Sequence, residues 1–368
     1  MRRIIVTGAG GGGSNNLIRS IRKSGYDVYI IGTNMDKFLL IKSLADKNYV
    51  LPPGTDIKYI PALNKLIDIE KVELVVPNSD TEVRVISENR EKLKCRVFLP
   101  KKETVRLCQD KYKMIRYLSK KGVDVPETLE IKSLDDVDEV CERLMSKSNS
   151  NCLWCRLRDS SGSTASLPIK DAEQAKFWIK YWRDMRGVSE RRFIISEYLP
   201  GRDYAFQSIW KDGEIVIGKT CERISYIFER QMPSGQSSTP KIARLVYNED
   251  VVETCIKAVK TIDNEATGNF CIDLKEDAEG VPHITEINIG RFFMITNIFN
   301  LSGKYNMAEI YLKLAFDEPV HIEERLKFRD IDENVYLIRG LDTLPDMVLS
   351  LIHISEPTRP RLISYAVF

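Results

Sequence analysis

The chain has 368 residues, enough for two or three domains with hydrophobic cores of their own. Apolar residues make up 43% and charged residues 29%, as in ordinary globular proteins, and the net charge of +2 gives no electrostatic case for binding nucleic acid or an anionic membrane. No apolar run approaches membrane-spanning length, and Met1-Arg2-Arg3 leads directly into a strand, so we expect neither a membrane span nor a signal peptide.

The first hundred residues alternate predicted strands with predicted helices. A buried strand from Arg3 leads to a glycine loop over residues 8–13 and an amphipathic helix over residues 15–23, and further strands follow up to residue 100. This alternation predicts a doubly wound parallel sheet. A glycine loop after a strand is typical of dinucleotide sites, but Thr33-Asn34 ends the second strand where an acidic ribose ligand is expected. A nicotinamide site and a tight turn that packs the first helix both stay open.

The cysteines and histidines argue against zinc and histidine-based chemistry. Eight cysteines are scattered along the chain, and the CxxC from Cys152 to Cys155 lies in an apolar strand-like run without a second pair. The chain has three histidines. We therefore expect reduced thiols and a cytoplasmic location.

The middle of the chain contains a loop suited to binding phosphate. We expect a long helix over residues 103–121, and then an α+β region in which Arg156 ends a strand. Small residues fill positions 159–166, and their N–H groups and hydroxyls can fold over phosphates with a cation behind them. A hairpin tip beside a surface arginine is the alternative. Residues 170–186 are predicted to be helical and to end at Gly187.

A turn between two predicted strands suits a nucleoside. Residues 197–203 join a strand beginning at Arg192 to a strand that reaches Phe206. Such a connection can present backbone N–H and C=O groups to an adenine edge, and Asp203 is placed to take ribose hydroxyls. A plain turn around Pro200-Gly201 is the alternative.

Three oxygen-bearing side chains near residue 280 indicate a metal site. Glu286 and Asn288 are two apart in a predicted strand and therefore share one face. Asp273 lies in a neighbouring predicted strand, and a charged turn over residues 275–280 would close the two strands into a hairpin. Carboxylate and amide oxygens are ligands that Mg²⁺ prefers. An ordinary solvated hairpin face is the alternative. Arg291 follows directly.

In this order and spacing, the motifs resemble the ATP-grasp superfamily, specifically ligases of the carbamoyl-phosphate-synthase-like branch, over about residues 1–348. The resemblance implies an α/β protein, with a Rossmann-like preATP-grasp domain over residues 1–108 followed by the two α+β subdomains of an ATP-grasp fold. We expect these subdomains over residues 109–200 and 201–348. Residues 349–368 do not resemble the family and are interpreted as a non-native tail.

The resemblance also implies a role for each motif residue. Arg156 and Arg291 would be catalytic, the latter by stabilising the transferred phosphoryl group. Asp273, Glu286 and Asn288 would be the metal ligands. The residues that would bind the nucleotide are Lys111, Arg156, Ser161, Gly162, Ser163, Glu197, Leu199 and Asp203.

The implied activity is the ATP-dependent joining of a carboxylate to an amine through an acyl phosphate. ATP and Mg²⁺, or Mn²⁺ in its place, would be the cofactors, and the expected partners are small-molecule substrates, with no nucleic acid and no membrane; a homodimer is an alternative to a monomer. Two rival functions are a nicotinamide-dependent oxidoreductase and a nucleotide-binding protein without catalysis. Arg223, Tyr226, Arg230 and residues 235–238 are candidate substrate contacts, with a solvated insertion as the alternative.

Overall fold

The computed structural model describes residues 1–148, 150–160, 162–237 and 239–340, and the backbone of Asp346–Val348. The predicted tail over residues 349–368 and the predicted nucleotide-binding Ser161 lie outside the described residues. Among the residues described, no helix is long and apolar enough to cross a membrane.

Residues 1–100 form a unit built on a parallel sheet. Its strands are β1 (Arg2–Thr7), β2 (Val28–Asn34), β3 (Lys47–Val50), β4 (Leu74–Val76) and β5 (Arg96–Val97), and its helices are α1 (Gly12–Ser24), α2 (Lys37–Leu40), α3 (Tyr59–Glu70) and α4 (Asp80–Glu88). The strand order β3-β2-β1-β4-β5 with parallel pairing confirms the predicted doubly wound sheet. Because the chain leaves β1 for β2 on one side and reaches β4 on the other, a crevice opens at the carboxyl ends of β1 and β4.

The predicted single helix over residues 103–121 is wrong, because two helices occupy this stretch. They are α5 (Lys102–Cys108) and α6 (Lys111–Ser119). Asp110 is extended, with φ −108° and ψ 97°, and its side chain accepts a hydrogen bond from the backbone N–H of Lys113. This N-cap starts a new helix, while the apolar pattern continues through the break and hides it from a periodicity argument.

A four-stranded antiparallel sheet forms the second unit. Its strands are β6 (Thr128–Glu130), β7 (Leu153–Leu157), β8 (Leu167–Ile169) and β9 (Phe193–Glu197), and its helices are α7 (Val137–Met145) and α8 (Ala172–Arg186). The strand order is β6-β9-β7-β8. Helix α8 begins after the capping side chain of Asp171 and ends, as predicted, at Gly187 in the left-handed conformation.

A seven-stranded antiparallel sheet forms the third unit. Its strands are β10 (Asp203–Lys211), β11 (Glu214–Tyr226), β12 (Pro240–Val246), β13 (Gly268–Glu276), β14 (Pro282–Ile289), β15 (Tyr336–Ile338) and β16 (Asp346–Val348), and its helices are α9 (Glu249–Ile262), α10 (Thr296–Asn300) and α11 (Met307–Ala315). The strand order is β14-β13-β10-β11-β12-β15-β16. Short 3₁₀ helices lie at Arg90–Lys92, Leu134–Asp136, Glu190–Arg192 and Glu324–Leu326.

The first and third units share their hydrophobic cores, whereas the second unit has a core of its own. Ile5 of β1 belongs to one cluster with Phe206 of β10, and its neighbour Val6 belongs to another cluster with Ile209. The side chains that fill the core of the four-stranded sheet form a separate cluster. The molecule therefore places a self-contained small unit against a larger body, and a cleft between them can serve as a binding site.

Candidate active site

A cavity of about 490 Å³ lies where the three units meet. The carboxyl end of β4, the loop after β7, the connection between β9 and β10, and one face of the seven-stranded sheet contribute to its walls. Every sequence-predicted site residue within the described ranges lines this cavity. These residues are Lys111, Arg156, Gly162, Ser163, Glu197, Leu199, Asp203, Asp273, Glu286, Asn288 and Arg291.

The three predicted metal ligands lie together on strands β13 and β14. These strands pair antiparallel, with Asp273 directly opposite Glu286, and a bulge follows Asp273. The Asn288 amide Nδ2 donates a hydrogen bond of 2.8 Å to Asp273 Oδ2. The predicted hairpin therefore brings two carboxylates and one amide to the same wall of the cavity.

The electrostatics of this wall fit a divalent cation. Burial raises the pKa of Asp273 to about 6; Arg223 opposes this shift and the Glu286 carboxylate adds to it. A doubly charged cation would offset both the burial of the carboxylate and its repulsion by its neighbour. Across the described ranges no group of three or more His, Cys, Asp or Glu side chains is arranged to hold a metal ion. The set found here has two such residues and the amide of Asn288, a combination of hard oxygen donors that suits Mg²⁺.

Each of the three oxygen-bearing side chains contacts a cation of the protein itself. Arg223 Nη2 donates to Asp273 Oδ1, and Arg291 Nη2 donates to Asn288 Oδ1. Lys111 Nζ lies 3.1 Å from Glu286 Oε1. The cavity therefore contains an alternating set of positive and negative groups with little unbalanced charge.

Two cations lie beside the small-residue loop. The Lys111 ammonium is buried and also donates to the backbone oxygen of Ser160, at the beginning of the loop. Arg156 is buried as well, and its Nη2 donates a hydrogen bond of 2.9 Å to the backbone oxygen of Thr285 on β14. Its Nε has no hydrogen-bond partner among the described residues. An unpaired buried donor lacks the partner that such groups normally have, and an oxyanion bound beside Arg156 would supply one.

The backbone of the loop has an unusual conformation for its sequence. Gly162, Ser163 and Ala165 have φ values of 73°, 56° and 58°, all in the left-handed region. Glycine adopts this region readily, whereas serine and alanine do so at a cost in free energy. The loop is therefore held in a locally strained shape.

The predicted nucleoside residues lie at the opposite end of the cavity. Glu197 is anchored to the chain before β6, because its Oε2 accepts a hydrogen bond of 3.1 Å from the backbone N–H of Glu127. Leu199 is buried next to it and supplies an apolar surface. Asp203 begins β10, and its carboxylate contacts Arg223 at 3.3 Å and accepts a hydrogen bond of 2.6 Å from the Tyr226 hydroxyl.

Several cavity residues were not predicted from the sequence, among them Asp80, Asn78 and Lys275. Asp80, in the first turn of α4, lies 2.5 Å from Arg291 Nε, and Asn78 Oδ1 accepts a hydrogen bond of 2.9 Å from the backbone N–H of Phe292. The helix start at Ser79-Asp-Thr-Glu, directly after β4, was a signal that could have found both residues. Lys275, two residues after Asp273, lines the cavity with its ammonium 5.7 Å from the ring centroid of Tyr198.

The candidate substrate contacts divide into two groups. Arg223 and Tyr226 line the cavity, as do Gln236 and Ser237 from the 235–238 stretch. Arg230 is exposed and is absent from the cavity wall, and Ser238 lies outside the described residues.

The N-terminal glycine loop is packed against protein. A Cβ atom on Gly10 would lie 1.8 Å from the backbone oxygen of Leu39, and Gly12 and Gly13 lie against the side chain of Met294. Asn34 Nδ2 donates a hydrogen bond of 2.9 Å to the backbone oxygen of Ala9. These contacts favour the tight-turn interpretation over a dinucleotide site.

Solved structures with the same fold include several ATP-dependent enzymes, whereas no curated protein matches the chain. An L-amino acid ligase from Bacillus licheniformis is 12% identical with a TM-score of 0.66, and the match covers 92% of this chain and 79% of that one. The biotin carboxylase domain of the Hydrogenobacter thermophilus 2-oxoglutarate carboxylase, a dimer in complex with magnesium ADP, is 13% identical with a TM-score of 0.68, over 91% and 73% of the two chains. A carboxyaminoimidazole ribonucleotide synthase from Aspergillus clavatus in complex with ATP is 14% identical with a TM-score of 0.67, over 92% and 81%.

At these identities the solved structures establish the fold alone, and the family follows from the sequence match. The family described as the ATP-grasp domain matches residues 108–292, just over half of the chain. This span runs from the end of α5 to the residue after Arg291, and it contains every predicted site residue. The chain belongs to the ATP-grasp family.

Proposed function

We propose that this protein is an ATP-dependent ligase that activates a carboxylate as an acyl phosphate for attack by an amine. The observation that carries the proposal is the convergence, in one cavity, of three cations and three oxygen donors from helix α6, strand β7 of the second unit and the β13–β14 hairpin region of the third unit. Lys111, Arg156 and Arg291 are the cations that would contact phosphate, and Asp273, Glu286 and Asn288 are the donors that would hold a metal ion. Magnesium ADP and ATP in two of the similar structures support the choice of nucleotide.

The cavity has room and suitable groups for a nucleotide along its length. Leu199 and the backbone after Glu197 would bind the adenine, and Asp203 would bind the ribose. The loop from Ser160 to Ser166 would lie over the phosphates, where Lys111 and the unpartnered Nε of Arg156 supply positive charge.

The reaction has two steps. A carboxylate oxygen attacks the terminal phosphorus of ATP, and the bond from that phosphorus to the bridging oxygen breaks, which releases ADP and leaves an acyl phosphate. The amine nitrogen then attacks the acyl carbon, inorganic phosphate leaves, and the nitrogen loses a proton.

The residues act mainly by positioning and by charge balance. Mg²⁺ or Mn²⁺ bound by Asp273, Glu286 and Asn288 would supply positive charge at the phosphates. Arg291 lies between this wall and Asp80 of the first unit, so it is placed to contact both the transferred phosphoryl group and the attacking carboxylate. Closure of the loop over the cavity would exclude water, which matters because acyl phosphates hydrolyse.

Three further expectations accompany this function as proposals. The domain boundaries near residues 108 and 200 stay a prediction, and α6 packs its apolar face into the core shared by the first and third units. A cytoplasmic location is supported by eight free thiols, six of them buried. A homodimer remains an alternative to a monomer.

The decisive experiment measures Mg²⁺-dependent ADP release while amino acids and other carboxylates are screened with amines. A productive pair should stimulate ADP release and consume one ATP per bond formed. With an ¹⁸O-labelled carboxylate, one labelled oxygen should appear in inorganic phosphate, because the acyl phosphate transfers it. Unlabelled phosphate from a productive reaction would exclude the acyl phosphate, and failure of magnesium ATP to bind the protein would overturn the proposal as a whole.

A further inference from the structure

Arg223 contacts two carboxylates in the cavity, although neither proposed step assigns it a role. Its Nη2 donates to Asp273 Oδ1 and its Nη1 lies 3.3 Å from Asp203 Oδ1. The guanidinium also lies 5.3 Å from the ring centroid of Phe293, and only 11% of the side chain is exposed. Its Nε has no hydrogen-bond partner among the described residues. The positive charge is therefore fixed between the proposed ribose ligand and a proposed metal ligand.

The same arrangement recurs at the other proposed metal ligands. Glu286 is paired with Lys111, and the oxygen of Asn288 accepts from Arg291. Lys111 and Arg291 are both expected to contact phosphate when a nucleotide is bound. Arg223 is thus the third member of a set in which each proposed metal ligand has one oxygen in contact with a cation of the protein.

A metal ion and this set of cations compete for the same oxygens. The Arg223 guanidinium occupies Asp273 Oδ1, so a metal ion that binds this oxygen must displace it or share the carboxylate with it. A displaced guanidinium in a largely buried site needs another anion, because an unpaired buried charge is costly. Nucleotide phosphates would supply that anion in the same cavity.

We propose that Arg223 is an internal counter-ion that holds Asp273 until a metal–nucleotide complex binds, and that it then transfers to the phosphate oxygens of the nucleotide. This inference rests on the proposed function. It implies that the free protein binds a divalent cation weakly. Metal and nucleotide should strengthen each other's binding, because the metal ion pairs with the Asp273 carboxylate that Arg223 leaves, and the phosphates pair with the Arg223 guanidinium that the metal ion displaces.

The test compares Mn²⁺ binding to the wild type, Arg223→Gln, Arg223→Lys and Lys275→Gln by titration calorimetry, with the free ion counted by electron paramagnetic resonance. Without nucleotide, Arg223→Gln should bind Mn²⁺ about 5-fold or more tightly than the wild type, because the competing cation is gone. Lys275→Gln is the matched control: it removes a cation from the same cavity, but no carboxylate oxygen of the described residues lies within ion-pair distance of this ammonium. Its Mn²⁺ affinity should change by no more than about 2-fold.

A second measurement uses the β,γ-imido analogue of ATP. In the wild type, Mn²⁺ and the analogue should each raise the affinity for the other, and in Arg223→Gln this coupling should shrink. Mn²⁺ alone should also raise the melting temperature of Arg223→Gln more than that of the wild type, because the metal replaces the missing charge. If Arg223→Gln does not fold, Arg223→Lys, which keeps the charge but lacks the two-pronged contact, should show a smaller gain in Mn²⁺ affinity.

The outcomes separate this inference from the proposed function. If the wild type fails to bind Mn²⁺ with the ATP analogue, the proposed function is wrong. If it binds both, and a folded Arg223 variant has unchanged or weaker Mn²⁺ affinity without nucleotide, the ion pair has a purely structural role and the counter-ion proposal is overturned.

Discussion

Asp80 and Arg291 form an ion pair that joins the parallel-sheet unit to the seven-stranded sheet at the wall of the cavity. The distance from Asp80 Oδ1 to Arg291 Nε is 2.5 Å, although the residues are 211 positions apart in the sequence. Arg291 also donates to Asn288, and its backbone oxygen accepts a hydrogen bond of 2.7 Å from Asn269 Nδ2. The guanidinium is therefore positioned by groups from two units before any substrate arrives.

We expect Asp80→Asn to reduce turnover without a comparable loss of nucleotide binding. The amide can still accept a hydrogen bond but loses the charge that orients Arg291, and a charge-assisted hydrogen bond contributes about 1.5–3 kcal/mol, so kcat should fall about 10-fold or more. The measurement is kcat for ADP release beside the dissociation constant of magnesium ADP. Asp68→Asn, which breaks an exposed ion pair with Lys94 in the same unit, is the control and should leave both unchanged. An unchanged kcat in Asp80→Asn would show that the pair does not position Arg291.

Replacing a proposed metal ligand should damage turnover far more than stability. Glu286→Gln removes one negative charge from the proposed metal site, and Asn288→Asp adds one beside Asp273, so both should lower Mg²⁺-dependent ADP release by about 100-fold or more. Melting temperatures should change far less than turnover, because both replacements keep the size of the side chain; any loss in Glu286→Gln should come from the buried Lys111 ammonium that its charge had paired.

The matched control for these variants is Glu222→Gln. This carboxylate pairs with Arg244 at 2.6 Å on the opposite face of the same sheet, next to the cavity residue Arg223 in sequence. It should retain near wild-type turnover. ADP release at wild-type rates in Glu286→Gln would remove Glu286 from the metal site.

The grouping of Asp273, Glu286 and Asn288 on one wall of the cavity could be predicted from the sequence because its geometry is local. Glu286 and Asn288 alternate along one strand, Asp273 lies on the neighbouring strand of the same hairpin, and strand periodicity alone puts the first two on one face. The order of the motifs then indicated the fold. A local pattern of this kind can be predicted without knowing how the larger units pack against each other.

The remaining parts of the site depend on tertiary packing. Asp80 reaches Arg291 because two units share a core, and no spacing in the sequence encodes that distance. Arg223 was a candidate substrate contact from its position between motifs, but its pairing with Asp203 and Asp273 depends on the register of three strands. The apolar pattern alone did not show the break at Asp110, because a capping side chain interrupts the helix without interrupting that pattern.

Glu70 should make the stability of the first unit depend on pH. The side chain, at the end of α3, is 6% exposed, and it accepts hydrogen bonds from Lys47 at 2.7 Å, from the Tyr49 hydroxyl and from Arg3. The Lys47 ammonium and the Tyr49 hydroxyl lower the pKa of this carboxyl to about 2. Since the folded pKa lies below the unfolded value of about 4.3, the carboxylate contributes stability above that value and loses it as the pH falls toward about 2.

Glu70→Gln should therefore lower the free energy of unfolding at pH 7 by about 1–2 kcal/mol, and this difference from the wild type should become smaller below about pH 4.3. Urea denaturation from pH 7 to pH 3 measures the difference in the free energy of unfolding. Glu73→Gln, at a more exposed ion pair with Arg2 on the same edge, is the control and should give a small, nearly constant difference. A gap for Glu70→Gln that stays constant down to pH 3 would contradict the lowered pKa.

Arg156 should contribute to nucleotide binding through both its charge and its position. It lies on β7 of the small unit, contacts the backbone of Thr285 on β14 of the large body, and keeps its Nε free of partners among the described residues. Arg156→Ala removes the phosphate donor and the contact between the units together. We therefore expect the dissociation constant of magnesium ADP to rise about 10-fold or more, as measured by calorimetry.

Arg156→Lys is the matched variant, because it keeps the charge but loses the planar group that can contact Thr285 and a phosphate at once. An intermediate affinity is expected for it. A dissociation constant unchanged in Arg156→Ala would mean that this buried arginine serves only to join the two units.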